Sequence, residues 1–179
     1  MKKKTNKTYP IAFSSVIAAL SLVMLFITSF IPVGTYALPC IAGALLTAVV
    51  IEAGYISAFS VYVVVSVLSF LLVADKEAVL YYTAFLGFYP IIKGLFERIK
   101  LRVIQYILKI FVFNLCIIGA FFIGLYLLSI PKESFELFGV YIPWVFLAIG
   151  NVVFVFYDIC LTRFITEYVM RWRKKLKIR

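Results

Sequence analysis

One apolar run constrains the fold of this chain more than any other feature. Residues 37–74 form 38 consecutive positions with a single charged side chain, Glu52, which Gly54 follows closely. As one helix the run would be about 57 Å long at about 1.5 Å per residue, roughly twice the thickness of bilayer hydrocarbon. It therefore predicts two membrane-spanning helices joined by a tight reversal at Glu52–Tyr55.

The composition predicts an integral membrane protein. Hydrophobic residues make up 65% of the 179 positions, charged residues make up 15%, and the mean hydropathy is +1.09. Soluble domains have about 45–50% apolar and about 25% charged residues. Such a chain cannot cover a water-facing surface, so lipid is its expected surroundings. The net charge of +10 is assigned to loops and tails rather than to nucleic-acid binding, because no stretch outside the predicted spans offers a folded basic face.

The apolar runs predict six spans. The first follows the basic start MKKKTNKTYP; its 21 residues exceed the apolar core of about 7–15 residues in a cleaved signal peptide. The fourth is short, and Gly87 and Pro90 predict a break near its end. The spans lie at about 11–31, 37–52, 55–74, 78–92, 103–129 and 141–163.

The distribution of basic residues predicts the orientation. With both termini on one side, 16 of the 18 Lys and Arg residues fall in segments on that side, and only Lys76 and Lys132 lie outside. Basic residues concentrate in cytoplasmic segments of membrane proteins. The prediction is an all-α integral membrane protein, a single six-helix domain over residues 1–179 with both termini cytoplasmic. Lys93–Arg102 is predicted to be an inner loop, in which Lys93 and Glu97 form a weak pair. A bacterial plasma membrane fits this pattern.

The sequence lacks the residues and motifs of several common catalytic and metal-binding sites. There is no histidine, and the three cysteines are far apart, so neither a metal site nor a redox motif is expected. No phosphate-binding loop, G-x-S-x-G or H-E-x-x-H motif occurs. We therefore predict no catalytic residue and no cofactor, and enzyme is the least favoured class.

Three polar residues inside the predicted spans each allow two interpretations. Asn114 and Asn151 could line a ligand pocket, or they could form hydrogen bonds between helices. Asp158 lies two helical turns after Asn151 on the same face. It could belong to the same pocket, or it could reach the membrane interface close to Arg163.

Aromatic and small residues mark two further surfaces. Aromatic side chains near the predicted outer boundary could form an interfacial belt or stack on a planar ligand; they are Tyr36, Tyr81, Tyr82, Tyr126 and Trp144. In the first span, Ser14-x-x-x-Ala18 and Ser15-x-x-x-Ala19 form a stripe that would let another helix approach closely.

With six short spans and this stripe, the chain resembles the substrate-binding S components of energy-coupling factor (ECF) transporters. The pattern of that family is Ala-x-x-x-Ala on the first helix; here Ser15-x-x-x-Ala19 has serine in the first place. FIPVGTYALPCIAGALL also resembles the first outer loop of the family, leading into helix two.

The resemblance implies that the chain captures a vitamin or other micronutrient and works with a transmembrane coupling subunit and two separate ATPases. Ligand would enter between the Pro32–Pro39 loop, the Asp75–Glu77 turn and the Pro131–Gly139 loop. The implied coupling interface is Ser14, Ser15, Ala18 and Ala19. The candidate substrate contacts are Tyr36, Tyr81, Asn114, Trp144 and Asn151.

A different class of protein fits the same layout. A non-catalytic scaffold of cell-envelope or rod-shape machinery would have a similar size and number of spans. Its intramembrane polar residues would join helices, and its basic tail RWRKKLKIR would recruit a cytoplasmic partner or anionic lipid.

Overall fold

The computed structural model describes residues 8–31, 34–126, 136–137, 140–141 and 143–172. The chain divides into two compact units, a first unit of residues 1–91 and a second unit of residues 92–179. Most of both basic tails, and most of the predicted Pro131–Gly139 loop, lie outside the described residues.

Helices account for nearly all of the described chain, as the sequence predicts. A two-residue antiparallel ladder, in which Glu136 pairs with Tyr141, is the one strand pairing among the described residues. The elements are α1 (Thr8–Thr28), α2 (Gly34–Leu72), α3 (Lys76–Tyr81), a π-helical segment (Tyr82–Leu86), α4 (Tyr89–Phe96), α5 (Arg102–Tyr126), β1 (Glu136–Leu137), β2 (Val140–Tyr141), α6 (Pro143–Glu167) and a second π-helical segment (Tyr168–Trp172).

Among the described residues, five stretches are long and apolar enough to cross a membrane. They are Thr8–Thr28, Gly34–Leu72, Lys76–Phe96, Arg102–Gly124 and Leu147–Arg171. Along α5 large apolar side chains stay exposed every fourth residue, at Val103, Ile107, Phe111 and Leu115. An apolar stripe of this length is unfavourable in water, and it is the surface that a lipid-facing helix requires. These features support a helical membrane protein.

Helix α2 reverses direction at Gly54. Its 39 residues would span about 58 Å if straight, yet its two ends meet: the Thr35 hydroxyl donates to Asp75 Oδ2 at 2.8 Å. Gly54 has φ 85° and ψ 173°, a conformation that is essentially restricted to glycine. The reversal falls within the Glu52–Tyr55 segment named from the sequence.

The core of the first unit joins α1 to both halves of α2. Leu46 and Val49 from the first half share one buried cluster with Val61 and Val65 from the second half. Helix α1 contributes Ile17 and Leu25 to this cluster. Small side chains allow the close approach: the Ser21 hydroxyl of α1 donates to the Ala42 carbonyl oxygen at 3.3 Å.

The fourth predicted span is interrupted where its sequence predicts a break. Asp75 caps the start of α3 by accepting from the Ala78 N–H at 3.0 Å, and the π-helical segment then leads into a turn at Gly87 and Phe88. A Cβ on Gly87 would lie 2.8 Å from ring atoms of Tyr62 and Tyr82, so glycine is required for this close packing. Tyr82, assigned to the aromatic belt by its sequence position, is fully buried here.

Two segments that were predicted to be loops are partly helical in the structure. The Pro32–Pro39 segment was expected to be a loop, but α2 already begins at Gly34. The Lys93–Arg102 segment was expected to be an inner loop, but α4 continues to Phe96 and buries Lys93 completely. In both places helical hydrogen bonding continues past the apolar run that defined the predicted span.

In the second unit, α5 and α6 pack as an antiparallel pair. The rings of Phe113 and Phe154 stack with centroids 4.7 Å apart and an interplanar angle of 11°. Gly150 lies beside this stack, where a Cβ would be 3.5 Å from the Phe113 ring. The contact fixes the register of the two helices, and with it the depth at which their polar residues face each other.

Candidate functional site

Two candidate substrate contacts, Tyr36 and Tyr81, come together in the first unit. Tyr36 lies in the first turn of α2, whereas Glu77 and Tyr81 lie one turn apart on α3. Both phenol hydroxyls donate to Glu77 Oε1, from Tyr36 at 3.4 Å and from Tyr81 at 3.0 Å. The ring centroids are 5.3 Å apart, and Tyr36 is 59% exposed. We call these three residues the tyrosine–glutamate cluster.

Asp75 extends this cluster with a second carboxylate. Its oxygens accept from the Thr35 hydroxyl and from the Ala78 N–H. The neighbouring Lys76 instead donates to the Phe70 and Val73 carbonyl oxygens at 2.7 and 2.9 Å, which places its charge at the C-terminal end of α2.

The two carboxylates of this region, Asp75 and Glu77, accept their hydrogen bonds from neutral groups. Within the described residues neither Asp75 nor Glu77 forms an ion pair. The surface therefore offers aromatic faces beside negatively charged acceptors, a combination suited to a planar or cationic molecule with hydrogen-bond donors. The sequence pointed to Tyr36 and Tyr81 as substrate contacts, but it named Glu77 only as part of the turn beside the expected ligand entrance.

The small-residue stripe of α1 separates into two faces. Ser14 is buried and Ala18 packs against the core, whereas Ser15 and Ala19 are exposed. Ser15 lies in an open groove of about 310 Å³ between α1 and the second half of α2. The groove is lined by Ile11, Ser14, Ser15, Ala18, Ile56, Ser57, Ser60, Val61 and Val64.

Two of the serine hydroxyls that line the groove are bonded within their own helices, whereas the buried Ser14 hydroxyl has no hydrogen-bond partner among the described residues. The Ser15 hydroxyl donates to the Ile11 carbonyl oxygen at 3.0 Å, and the Ser60 hydroxyl donates to that of Ile56 at 3.1 Å. A second helix could therefore approach this groove closely without leaving those hydroxyls unpaired. The contribution of Ser57 and Ser60 was not recognised from the sequence.

Asn114 and Asn151 of the second unit bind each other. Each side-chain N–H₂ donates to the other residue's Oδ1 at 2.9 Å. Each also donates to a carbonyl oxygen one turn back on its own helix, that of Ile110 or Leu147, at 2.8 Å. Both donors of each amide are used, which favours the helix-joining interpretation over that of a ligand pocket. Trp144, the remaining candidate contact, is 75% exposed near the start of α6.

The second unit also contains a buried cluster of charged residues, which we call the ion cluster. Lys93, Lys109 and Asp158 are 0%, 3% and 5% exposed, and each lies in a stretch able to cross a membrane. The Lys93 ammonium donates to Asp158 Oδ1 and to the Thr162 hydroxyl. The Lys109 ammonium lies 3.1 and 3.0 Å from the two oxygens of Asp158.

Glu97 completes the ion cluster. Its Oε1 lies 2.7 Å from Lys93 Nζ and 3.3 Å from Lys109 Nζ. Two ammonium groups therefore face two carboxylates, so the cluster is neutral when all four are ionised. Charged groups inside a membrane-spanning region are expected to pair in this way.

The ion cluster corrects two expectations. Lys93 and Lys109 were counted as charges of a cytoplasmic loop, but both are buried. The Lys93–Glu97 pair was expected to be a weak pair in an inner loop, but its lysine is buried and also contacts Asp158. Asp158, for which the sequence left both a pocket and an interfacial interpretation open, accepts from two lysines. One signal was present in the sequence: Lys109 is the eighth residue of α5, already two turns inside its predicted span.

Comparison of the chain with protein families, with curated proteins and with solved structures gave no match. The sites are therefore interpreted from their own geometry and chemistry.

Proposed function

We propose that this chain is the membrane-embedded substrate-binding component of a micronutrient or vitamin uptake transporter in a bacterial plasma membrane. The observation that carries the proposal is the tyrosine–glutamate cluster. Two aromatic rings and a carboxylate, contributed by elements about 40 positions apart, converge at one end of the first unit with Tyr36 still exposed. An exposed arrangement of this kind is suited to binding a small molecule.

The proposal includes six spans with both termini in the cytoplasm. The reversal of α2 at Gly54 supports two crossings from that helix, and each of the other four apolar stretches would cross once. The basic residues still favour this orientation once Lys93 and Lys109 are removed from the count, because those that remain near the inner ends far outnumber Lys76 and Lys132.

Ligand binding can be tested by native mass spectrometry of the purified full-length protein. We expect a small molecule to remain bound to the unmodified protein, and its occupancy to fall in Tyr36→Ala and in Tyr81→Ala. Tyr9→Ala is the matched control, since Tyr9 is also partly exposed in the first unit but lies away from the cluster. Equal occupancy in all three variants would argue against a binding role for the cluster.

The proposal also assigns the exposed Ser15 and Ala19 face, with its adjoining groove, to the transmembrane coupling subunit. The two ATPases would act through that subunit. Ala19→Phe would fill the space that an approaching helix needs, so we expect it to abolish co-purification with the coupling subunit while the protein stays folded. Leu20→Phe is the control, because Leu20 is also exposed but lies about 100° further around the helix. Co-purification unaffected by Ala19→Phe would rule out this interface.

A scaffold function is the second candidate. It is favoured by the polar residues of the second unit, because Asn114 and Asn151 bond to each other and the members of the ion cluster bond to one another within the protein. On this view native mass spectrometry would detect lipid and a protein partner but no small molecule. Beyond residue 172, the basic tail that would recruit such a partner lies outside the described residues.

A further inference from the structure

Glu97 differs from the other three members of the ion cluster. Its side chain is 38% exposed, whereas those of Lys93, Lys109 and Asp158 are 0%, 4% and 6% exposed. It follows directly after the end of α4, and a single oxygen, Oε1, contacts both lysines. Glu97 is therefore the member of the cluster that can leave without disturbing the core of a helix.

The charges of the cluster show what Glu97 does there. Asp158 is buried between both ammonium groups and balances one of them. Within the described residues, Glu97 is the only other carboxylate that contacts either lysine. Without it the site would hold a surplus positive charge out of contact with water, which is strongly unfavourable. The position next to the two lysines therefore requires an anion.

We propose that Lys93 and Lys109 form a binding site for a small monocarboxylate, and that Glu97 occupies this site as an internal ligand. A carboxylate fits because it would accept the charge-assisted hydrogen bonds that Glu97 now accepts. One negative charge fits because one positive charge remains when Glu97 leaves. A phosphate group with two charges would exceed that balance.

The segment that follows Glu97 is positively charged. The sequence from Glu97 to Arg102 is ERIKLR, and Arg98, Lys100 and Arg102 are all exposed. Exposed basic residues beside Glu97 raise the local concentration of anions. The inference does not depend on the tyrosine–glutamate cluster, which belongs to the other unit.

The test uses Glu97→Gln in the purified full-length protein, with sodium formate as the probe. Glutamine keeps the shape of the side chain but removes the charge, so we expect a lower apparent Tm that rises again as formate is added. The unmodified protein should need at least about tenfold more formate for the same rise, because its site opens only when Glu97 moves out.

Two controls separate site binding from general salt effects. Glu97→Gln combined with Lys109→Met restores the charge balance and should not respond specifically to formate. Glu167→Gln removes a carboxylate from an exposed pair with Arg171 and should behave like the unmodified protein. The proposal is overturned if formate leaves the Tm of Glu97→Gln unchanged, or if it raises the Tm of the charge-balanced variant equally.

A milder variant keeps the test informative if Glu97→Gln does not fold. Glu97→Asp retains the negative charge but shortens the side chain, so it should hold the lysines less well. Formate should then stabilise Glu97→Asp at lower concentrations than it stabilises the unmodified protein. Identical formate responses in these two proteins would also overturn the proposal.

Discussion

The side-chain amides of Asn114 and Asn151 form two reciprocal hydrogen bonds, each 2.9 Å long, between α5 and α6. Polar pairs between membrane helices contribute about 0.6 kcal/mol on average and up to about 1.7 kcal/mol. The pair therefore supports the contact between the two helices without dominating it.

A double-mutant cycle tests this relationship. Asn114→Ala and Asn151→Ala each remove one partner and should lower the free energy of unfolding. The double variant should lose less unfolding free energy than the sum of the two single losses. We expect a coupling energy of about 0.6–1.7 kcal/mol, measured by unfolding in mixed micelles with increasing dodecyl sulfate. Strictly additive effects would mean that the two amides do not support each other.

At Gly54, a substitution by alanine should destabilise the protein through backbone conformation alone, without a steric clash. No atom lies within 4 Å of the place where a Cβ on Gly54 would be, so alanine fits in space, but its φ of 85° is unfavourable for any other residue. We expect Gly54→Ala to lower the free energy of unfolding by about 1–3 kcal/mol, measured in the same micelles.

Gly119→Ala is the matched control for that measurement. A Cβ on Gly119 would also have no atom within 4 Å, but this glycine lies inside α5 with ordinary helical geometry. Alanine is favoured over glycine in a helix by up to about 1 kcal/mol, so this variant should be as stable as the unmodified protein or more so. The reverse order of the two variants would contradict the conformation of Gly54.

Gly87 predicts a steric effect instead. A Cβ there would approach Tyr62 and the buried ring of Tyr82 to 2.8 Å, closer than carbon atoms can pack. Gly87→Ala should therefore cost about 1–3 kcal/mol of unfolding free energy. Gly150→Ala, where the nearest ring atom is 3.5 Å away, should be tolerated; an equal loss in both would show that crowding at Gly87 is not the cause.

Asp158→Asn should be the most destabilising change in the ion cluster. It leaves Lys93 and Lys109 with Glu97 as their remaining carboxylate, and breaking a buried ion pair costs about 3–5 kcal/mol. Adding Lys109→Met removes the surplus charge and should recover part of the loss, as measured by apparent Tm. If the double variant is no more stable than Asp158→Asn, charge balance does not explain the loss.

Hydropathy and turn chemistry were sufficient to predict much of the fold. The length of the 37–74 run, together with Gly54, predicted a reversal at Glu52–Tyr55, and Gly87 with Pro90 predicted the break in the fourth stretch. Both are local signals: they depend on what one residue allows its own backbone to do.

The pairing of distant side chains could not be predicted in the same way. Lys93 and Lys109 lie near the ends of apolar runs, where a charge normally faces water, and their burial depends on Asp158 being brought to the same depth by the antiparallel packing of α5 and α6. Likewise, the role of Glu77 depends on Tyr36, which approaches it only because α2 folds back. Sequence spacing shows which face of a helix a residue occupies but does not identify its partner.

The single-residue reversal at Gly54 also has a consequence for how the protein is made and studied. With no connecting loop, the two arms of α2 would, on the proposed six-span topology, enter the lipid together as one hairpin during synthesis. A reporter or protease site introduced at this position would separate the arms, and topology mapping would then describe the damaged hairpin. Reporters belong at the chain ends, where they leave the hairpin intact.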